Sequence, residues 1–339
     1  MPAPDLIIHI GLAKCGSTTL QRDVFQHEDG YLGTAPSIAP ELNLAKQLQQ
    51  STPFGGRQTI NRRGLARWVG RVQQLREERW PDLDRLILSN EVLSASCRLI
   101  DRPILKVLSL LRENLWPGRI RVVVVFRNQA ARIASSYAQN SGANPVASQE
   151  DFERLMKRIM TNRRKRRLFD YSTWIEGLQT ILGADNVLPL FLEQTDSPDF
   201  WTRLTDFCDL KNFKANEMIL SKNHSKNKRS LSNKRWTISP LYPALRARIK
   251  VETWMNLIWP ASLAPRVRIS ARDHAVRLLQ AAFQKSVREA ETGNRASEIE
   301  LTPQARHFIQ SHVGAFNARL SRQLGQDLNG LGYWSEPWS

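Results

Sequence analysis

The residues with the most chemical content lie near the start of the chain. Gly11-Leu12-Ala13-Lys14-Cys15-Gly16-Ser17-Thr18-Thr19 sets two glycines around a lysine and follows them with three hydroxyl side chains. Glycine lets a backbone turn so that several N–H groups converge, and a helix starting there adds its positive end, so the stretch reads as a cradle for a phosphate or similar anion. In loops that hold nucleoside triphosphates a lysine follows the second glycine and reaches the β- and γ-phosphates. Here Ser17 stands in that place and Lys14 sits inside the loop, which disfavours ATP hydrolysis and kinase chemistry.

Two further positions complete the set. Arg127 follows the β-branched run Ile120–Phe126, and Ser135 comes eight residues later, about two turns along a helix. An arginine at the carboxyl end of such a strand lies where open α/β sheets bind ligands, and the pair can clasp one phosphate. The structural alternative is a surface ion pair for Arg127 and a packing role for Ser135 and Ser136. Glu91 lies just past Arg85–Ser89, again at a strand end, where a carboxylate can take a proton from a nucleophile. It can equally be a first-turn glutamate favoured by the helix dipole after Ser89 or Asn90 as cap.

Together these stretches resemble the sulfotransferases that use 3'-phosphoadenosine 5'-phosphosulfate (PAPS). The 5'-phosphosulfate loop of that family commonly reads His-x-Gly-x-Pro-Lys-Thr-Gly-Thr-Thr-x-Leu-Gln, and His9 to Gln21 matches most of it, with Ala13, Cys15 and Ser17 as the departures. The family's 3'-phosphate motif is an arginine at a strand end and a serine eight residues on, which Arg127 and Ser135 match, with Ser136 and Tyr137 following. The resemblance covers about residues 5–140 well and Tyr171 to Leu192 loosely. It implies PAPS as co-substrate, no metal, and a sulfuryl group passed in line to an acceptor hydroxyl or amine, on a carbohydrate or anionic glycan. It also implies Gly11, Lys14, Cys15, Gly16, Ser17, Thr18, Thr19, Arg127 and Ser135 as cofactor-binding residues. Lys14 would stabilise charge on the leaving oxygen, and Glu91 resembles the catalytic glutamate of family members that act on carbohydrates. His9 reads more simply as a hydrogen-bonded histidine at a strand end.

These groups need a scaffold that carries them to one edge. Asp5–Ile10 is a short apolar run ending at Gly11, and Ser17 to Phe25 has helical character. Leu65 to Trp80 has helical spacing and stops at Pro81, Arg85–Ser89 reads as a buried strand, and a helix from about Glu91 breaks at Pro103. Ile120–Phe126 predicts a central parallel strand, and Asn186–Leu192 a fourth one that Pro189 moves towards the sheet edge. The alternation predicts an α/β fold with a P-loop-like three-layer core, a central parallel sheet and a helical C-terminal extension. The chain reads as one domain, with the core in 5–210 and a basic loop and helices in 211–339. Lys222 to Arg235 predicts a mobile basic loop, Asp273–Glu291 and Thr302–Leu324 predict helices, and the basic run Arg163–Arg167 closes a helix opened by Ser148 and Asp151. An aromatic tail of Tyr333, Trp334 and Trp338 ends the chain.

Bulk properties bound the rest. The 339 residues are 41% hydrophobic and 24% charged, an ordinary globular balance. No apolar run reaches the roughly 18 residues of a membrane span, so no integral membrane association is expected. Three scattered cysteines suggest neither a disulfide framework nor a metal site, which fits a cytoplasmic protein. The net charge of +17 favours anionic partners and motivates a rival reading as a non-catalytic polyanion or nucleic-acid binder. The basic residues are spread over several segments and lack an aromatic stacking platform, which argues against specific nucleic-acid recognition.

Overall fold

The computed structural model describes residues 3–33, 62–90, 93, 103–144, 147–213, 235–239 and 296–334. Within them the elements run β1 (Asp5–His9), α1 (Ser17–Thr19), α2 (Arg62–Arg79), β2 (Arg85–Ser89), α3 (Pro103–Leu110), β3 (Ile120–Phe126) and α4 (Gln129–Asn140). They continue with α5 (Gln149–Thr161), α6 (Arg163–Arg166), α7 (Tyr171–Leu182), β4 (Val187–Phe191), α8 (Pro198–Cys208), β5 (Arg235–Thr237), β6 (Glu298–Glu300) and α9 (Pro303–Leu324). The chain forms two compact units, Met1–Gln129 with Asn162–Ser225 and Gln310–Ser339, and Ala130–Thr161 with Lys226–Ile309.

The first unit is built on a parallel sheet in the order β2-β1-β3-β4 with flanking helices. β3 is interior because its run of valines is apolar on both faces, and all but Arg121 of its residues are buried. Partial burial lowers the Arg121 pKa, and the cost is offset in part by Asp5 at 3.8 Å and by the Phe207 ring, whose centroid lies 4.4 Å away. β4 takes the edge, as Pro189 requires, and pairs in register from Val122↔Val187 to Phe126↔Phe191. The opposite edge, β2, is covered by Gly30–Leu32, where the Leu32 N–H donates to the Ile87 carbonyl at 2.9 Å and Ile87 N–H to Gly30 at 3.0 Å.

Helices close on this sheet through small residues and caps. A Cβ on Gly177 of α7 would fall 2.7 Å from Leu105 Cδ1 of α3, so glycine permits their close approach. Pro103 opens α3, where its missing N–H costs nothing; residues 94–102, where a preceding helix was expected, lie outside the described residues. Asp170 caps α7 and also accepts from Arg319 of α9 at 2.7 Å. Burial alone would raise the Asp170 pKa, but hydrogen bonds from Ser172 and Thr173 and the Arg319 charge hold it below the usual carboxylate value.

A buried carboxylate organises the end of the core. Glu28 accepts from Arg85 at 2.7 Å and from the consecutive N–H groups of Lys211, Asn212 and Phe213 at 2.9, 2.8 and 2.9 Å. Four donors on one carboxylate offset the desolvation that an isolated buried charge would suffer.

In the second unit, Ser148 Oγ accepts from the Asp151 N–H at 3.2 Å and so starts α5, while Tyr137 donates to Asp151 at 2.9 Å. α5 ends at Thr161, and the basic run does not close it. Asn162 begins a separate turn by accepting from Lys165 N–H at 3.0 Å, since its short amide competes with the helix for backbone partners. β5 and β6 pair antiparallel, with Arg235 facing Glu300 at 3.3 Å; this small sheet was not expected from the sequence. The basic segment 222–234 and the helix expected over Asp273–Glu291 lie outside the described residues.

Candidate functional site

The parallel sheet delivers the ends of all its strands to one edge, and the Gly11–Thr19 loop leaves from the end of β1. Its start stays tied to β3: Val125 N–H donates to Gly11 at 3.1 Å and Leu12 N–H to Val125 at 3.3 Å. The loop then turns through left-handed backbone at Gly11 (φ 88), Lys14 (φ 70) and Gly16 (φ 83). For Lys14 this conformation costs about 1–2 kcal/mol. Gly16 is needed twice over, because a Cβ there would also fall 2.7 Å from Leu192 Cδ1. Gly16, Ser17 and Thr18 occupy positions whose N–H groups a helix leaves without internal partners.

The side chains of the loop divide by burial. Ser17 is buried with Oγ 3.5 Å from the Leu12 carbonyl, Thr18 is exposed, and Lys14 and Thr19 are half-buried. Cys15 turns inward: its thiol belongs to the hydrophobic core and its N–H donates to Leu12 at 3.2 Å. A small soft side chain that packs without a strong hydrogen-bond demand suits that place.

Arg127, the residue after β3, comes to the same loop. Its Nη1 donates to the Lys14 carbonyl at 3.2 Å, it is only 5% exposed, and its own carbonyl accepts from the Tyr171 hydroxyl at 2.9 Å. Its buried Nε has no hydrogen-bond partner. A desolvated guanidinium with an unused donor beside a glycine loop suits an anion. The sheet thus brings together Lys14 and Arg127, which the sequence places 113 residues apart. Ser135 lies half-buried on α4 in the second unit. Glu91 lies outside the described residues.

The other motif ends meet at β2. His9 Nδ1 lies 2.7 Å from Ser89 Oγ, and Gln21 Nε2 donates to the same hydroxyl at 3.1 Å. The Ser89 hydroxyl, with two lone pairs and one proton, thus serves Gln21 and His9 together. Burial pushes the His9 pKa down to about 3, so the ring is neutral, a structural pin between the loop helix and the chain that leaves β2. Asn90 N–H donates to the His9 carbonyl at 3.0 Å, which fixes that exit further.

Sequence reasoning missed Glu193. It stands two residues past β4, accepts from Asn128 N–H at 2.8 Å and from the Tyr333 hydroxyl at 3.0 Å, and feels the Arg127 charge. Burial raises its pKa, against the pull of those partners. Asn128 also donates to the Gly332 carbonyl, so the chain's C-terminal part closes on the end of β3 as well. A carboxylate just past a strand end, as with Glu91, was the available signal. Among the described residues no cluster of His, Cys, Asp and Glu could hold a metal ion, and no helix is long and apolar enough to cross a membrane.

The family model of the sulfotransferase domain matches residues 4–238, which takes in the loop, Arg127, Glu193 and the whole parallel sheet. The chain belongs to the sulfotransferase family. Three solved structures are similar to this sulfotransferase. One is a sulfotransferase from Alicyclobacillus acidocaldarius, at 13% identity and TM-score 0.44, covering 98% of this chain and 100% of that one. Another is the sulfotransferase domain from the curacin biosynthetic pathway, at 14% identity and TM-score 0.35, covering 67% of this chain and 79% of that one. The third is the sulfotransferase domain from the Synechococcus PCC 7002 olefin synthase, at 16% identity and TM-score 0.31, covering 80% of this chain and 94% of that one. No protein of curated function matches the sequence.

Proposed function

We propose that this sulfotransferase draws on PAPS and delivers to a hydroxyl or amine, on a carbohydrate or anionic glycan. The observation that carries the reading is the contact of Arg127 with the Lys14 carbonyl, which sets the Arg127 guanidinium against the glycine loop that carries Lys14. The residues present fit such a donor: Gly16 takes the left-handed turn (φ 83) that starts α1, and Arg127 keeps a buried Nε–H unpaired. PAPS supplies an already activated sulfuryl group, so the protein has to position and to stabilise charge.

In this reading the first turn of α1 and the hydroxyls of Ser17, Thr18 and Thr19 hold the 5'-phosphosulfate. Lys14 offsets charge that grows on the leaving oxygen, and Arg127 holds the 3'-phosphate; Ser135 is the further residue that the resemblance offers to it. Glu91 takes the acceptor's proton. The free thiols of Cys15 and Cys208 support a reducing, cytoplasmic setting. The positive surface supports an anionic acceptor.

The test is a thermal-shift titration. At a hundredfold excess over Kd, 3'-phosphoadenosine 5'-phosphate should stabilise the protein by about 2.7 kcal/mol, and ATP with magnesium by much less. Equal shifts, or none, would sink the donor assignment. Labelled PAPS offered with a panel of glycans and amines then identifies the acceptor, and Glu91→Gln should lower turnover without weakening nucleotide binding.

A further inference from the structure

We propose that Arg127 is also a positioning residue for the 5'-phosphate loop, so that the grip on one end of the nucleotide depends on the residue assigned to the other. The inference rests on the PAPS reading above. Lys14 is an L-residue in left-handed backbone (φ 70), and such a residue stays there only where its surroundings over-determine it. Before it, the chain is tied to β3 through Leu12 N–H and the Val125 carbonyl; after it, Cys15 N–H donates back to Leu12 and Gly16 repeats the left-handed turn. The Lys14 carbonyl between these ties receives Arg127 Nη1 at 3.2 Å.

The arginine is itself a fixed point. It is buried, its backbone carbonyl is held by the Tyr171 hydroxyl, and the Tyr171 ring stacks on Phe126 at 4.5 Å. Its guanidinium is planar, so one N–H on Lys14 sets the plane in which the remaining donors can meet a phosphate. The loop carbonyl and a phosphate held by Arg127 therefore share one rigid group. Removal of that group should be felt by a nucleotide that has no 3'-phosphate at all.

Titration calorimetry on the full chain separates the two roles. Adenosine 5'-phosphosulfate lacks the 3'-phosphate, and 3'-phosphoadenosine 5'-phosphate carries it. Arg127→Met should weaken both ligands, the first by about tenfold as expected for one lost charged hydrogen bond, and the second by more. Arg127→Lys keeps a donor for the Lys14 carbonyl and should restore the 5'-only ligand to within about twofold of the parent. Arg127→Leu, which likewise has no donor, replaces the methionine variant if the latter does not fold. Loss confined to the 3'-phosphorylated ligand overturns the positioning role and leaves the PAPS reading standing. Failure of the parent protein to bind either ligand overturns both.

Discussion

The hydroxyl of Tyr333 donates to the carboxylate of Glu193 at 3.0 Å, and this bond joins the chain's C-terminal part to the strand end that lies beside the glycine loop. Tyr333 is wholly buried, edge-on to Phe191 at 5.1 Å. Tyr333→Phe keeps the ring and removes only the donor, leaving a buried carboxylate short of one partner. Unfolding free energy should fall by about 1–3 kcal/mol. A urea midpoint equal to the parent's would show that the bond contributes nothing.

Gly16→Ala should damage binding more than stability. The left-handed backbone costs an alanine about 1–2 kcal/mol, and the added methyl drives against Leu192. The half-buried Leu192 side chain can swing aside, so the strained backbone is what the loop must relieve by shifting. Nucleotide affinity should drop at least about tenfold, since 1.4 kcal/mol of misplacement suffices for that. Unchanged affinity in the alanine variant would mean that the N–H groups of this turn do not hold the ligand.

His9 should give the protein a defined acid sensitivity. Its folded pKa is lowered from 6.5 to about 3, so below pH 6.5 the unfolded chain takes up a proton that the native ring refuses. The stability that the neutral ring contributes is complete above pH 6.5 and is lost as pH falls towards 3. The slope is up to about 1.4 kcal/mol per pH unit. Denaturant titrations of the parent and of His9→Gln between pH 4 and 7 should differ by that slope; parallel curves would rule His9 out as its source.

Much of the scaffold was legible because strong local signals agreed. The run of valines in β3 admits no other element, and β2 and β3 have the bounds their apolar runs suggest. Pro189 correctly marks an edge strand, since a ladder bond is lost at that residue whichever fold surrounds it. The turns of the glycine loop were legible for the same reason: its glycines answer a local backbone demand at Gly11 and Gly16. Glu193, Asn128 and Tyr333 answer no local demand. They meet through residues 65 and 140 positions apart, and neither periodicity nor turn chemistry encodes such a meeting. β5 and β6 escaped for a related reason, being three residues each and distant in sequence. The end of α5 was misjudged because the basic run looked like a favourable C-terminus, whereas Asn162 had already turned the chain.

The turn at Lys211–Phe213 shows in this chain the arrangement proposed for the glycine loop, N–H groups converging on an anion. In the turn that anion is Glu28, a part of the chain itself. Tethering gives it an effective local concentration that no dissolved phosphate, sulfate or glycan can match. A protein of charge +17 in an anion-rich solution thereby keeps this cradle immune to competition. Ionic conditions that crowd ligands off the glycine loop should leave the joint between Glu28, Arg85 and residues 211–213 closed.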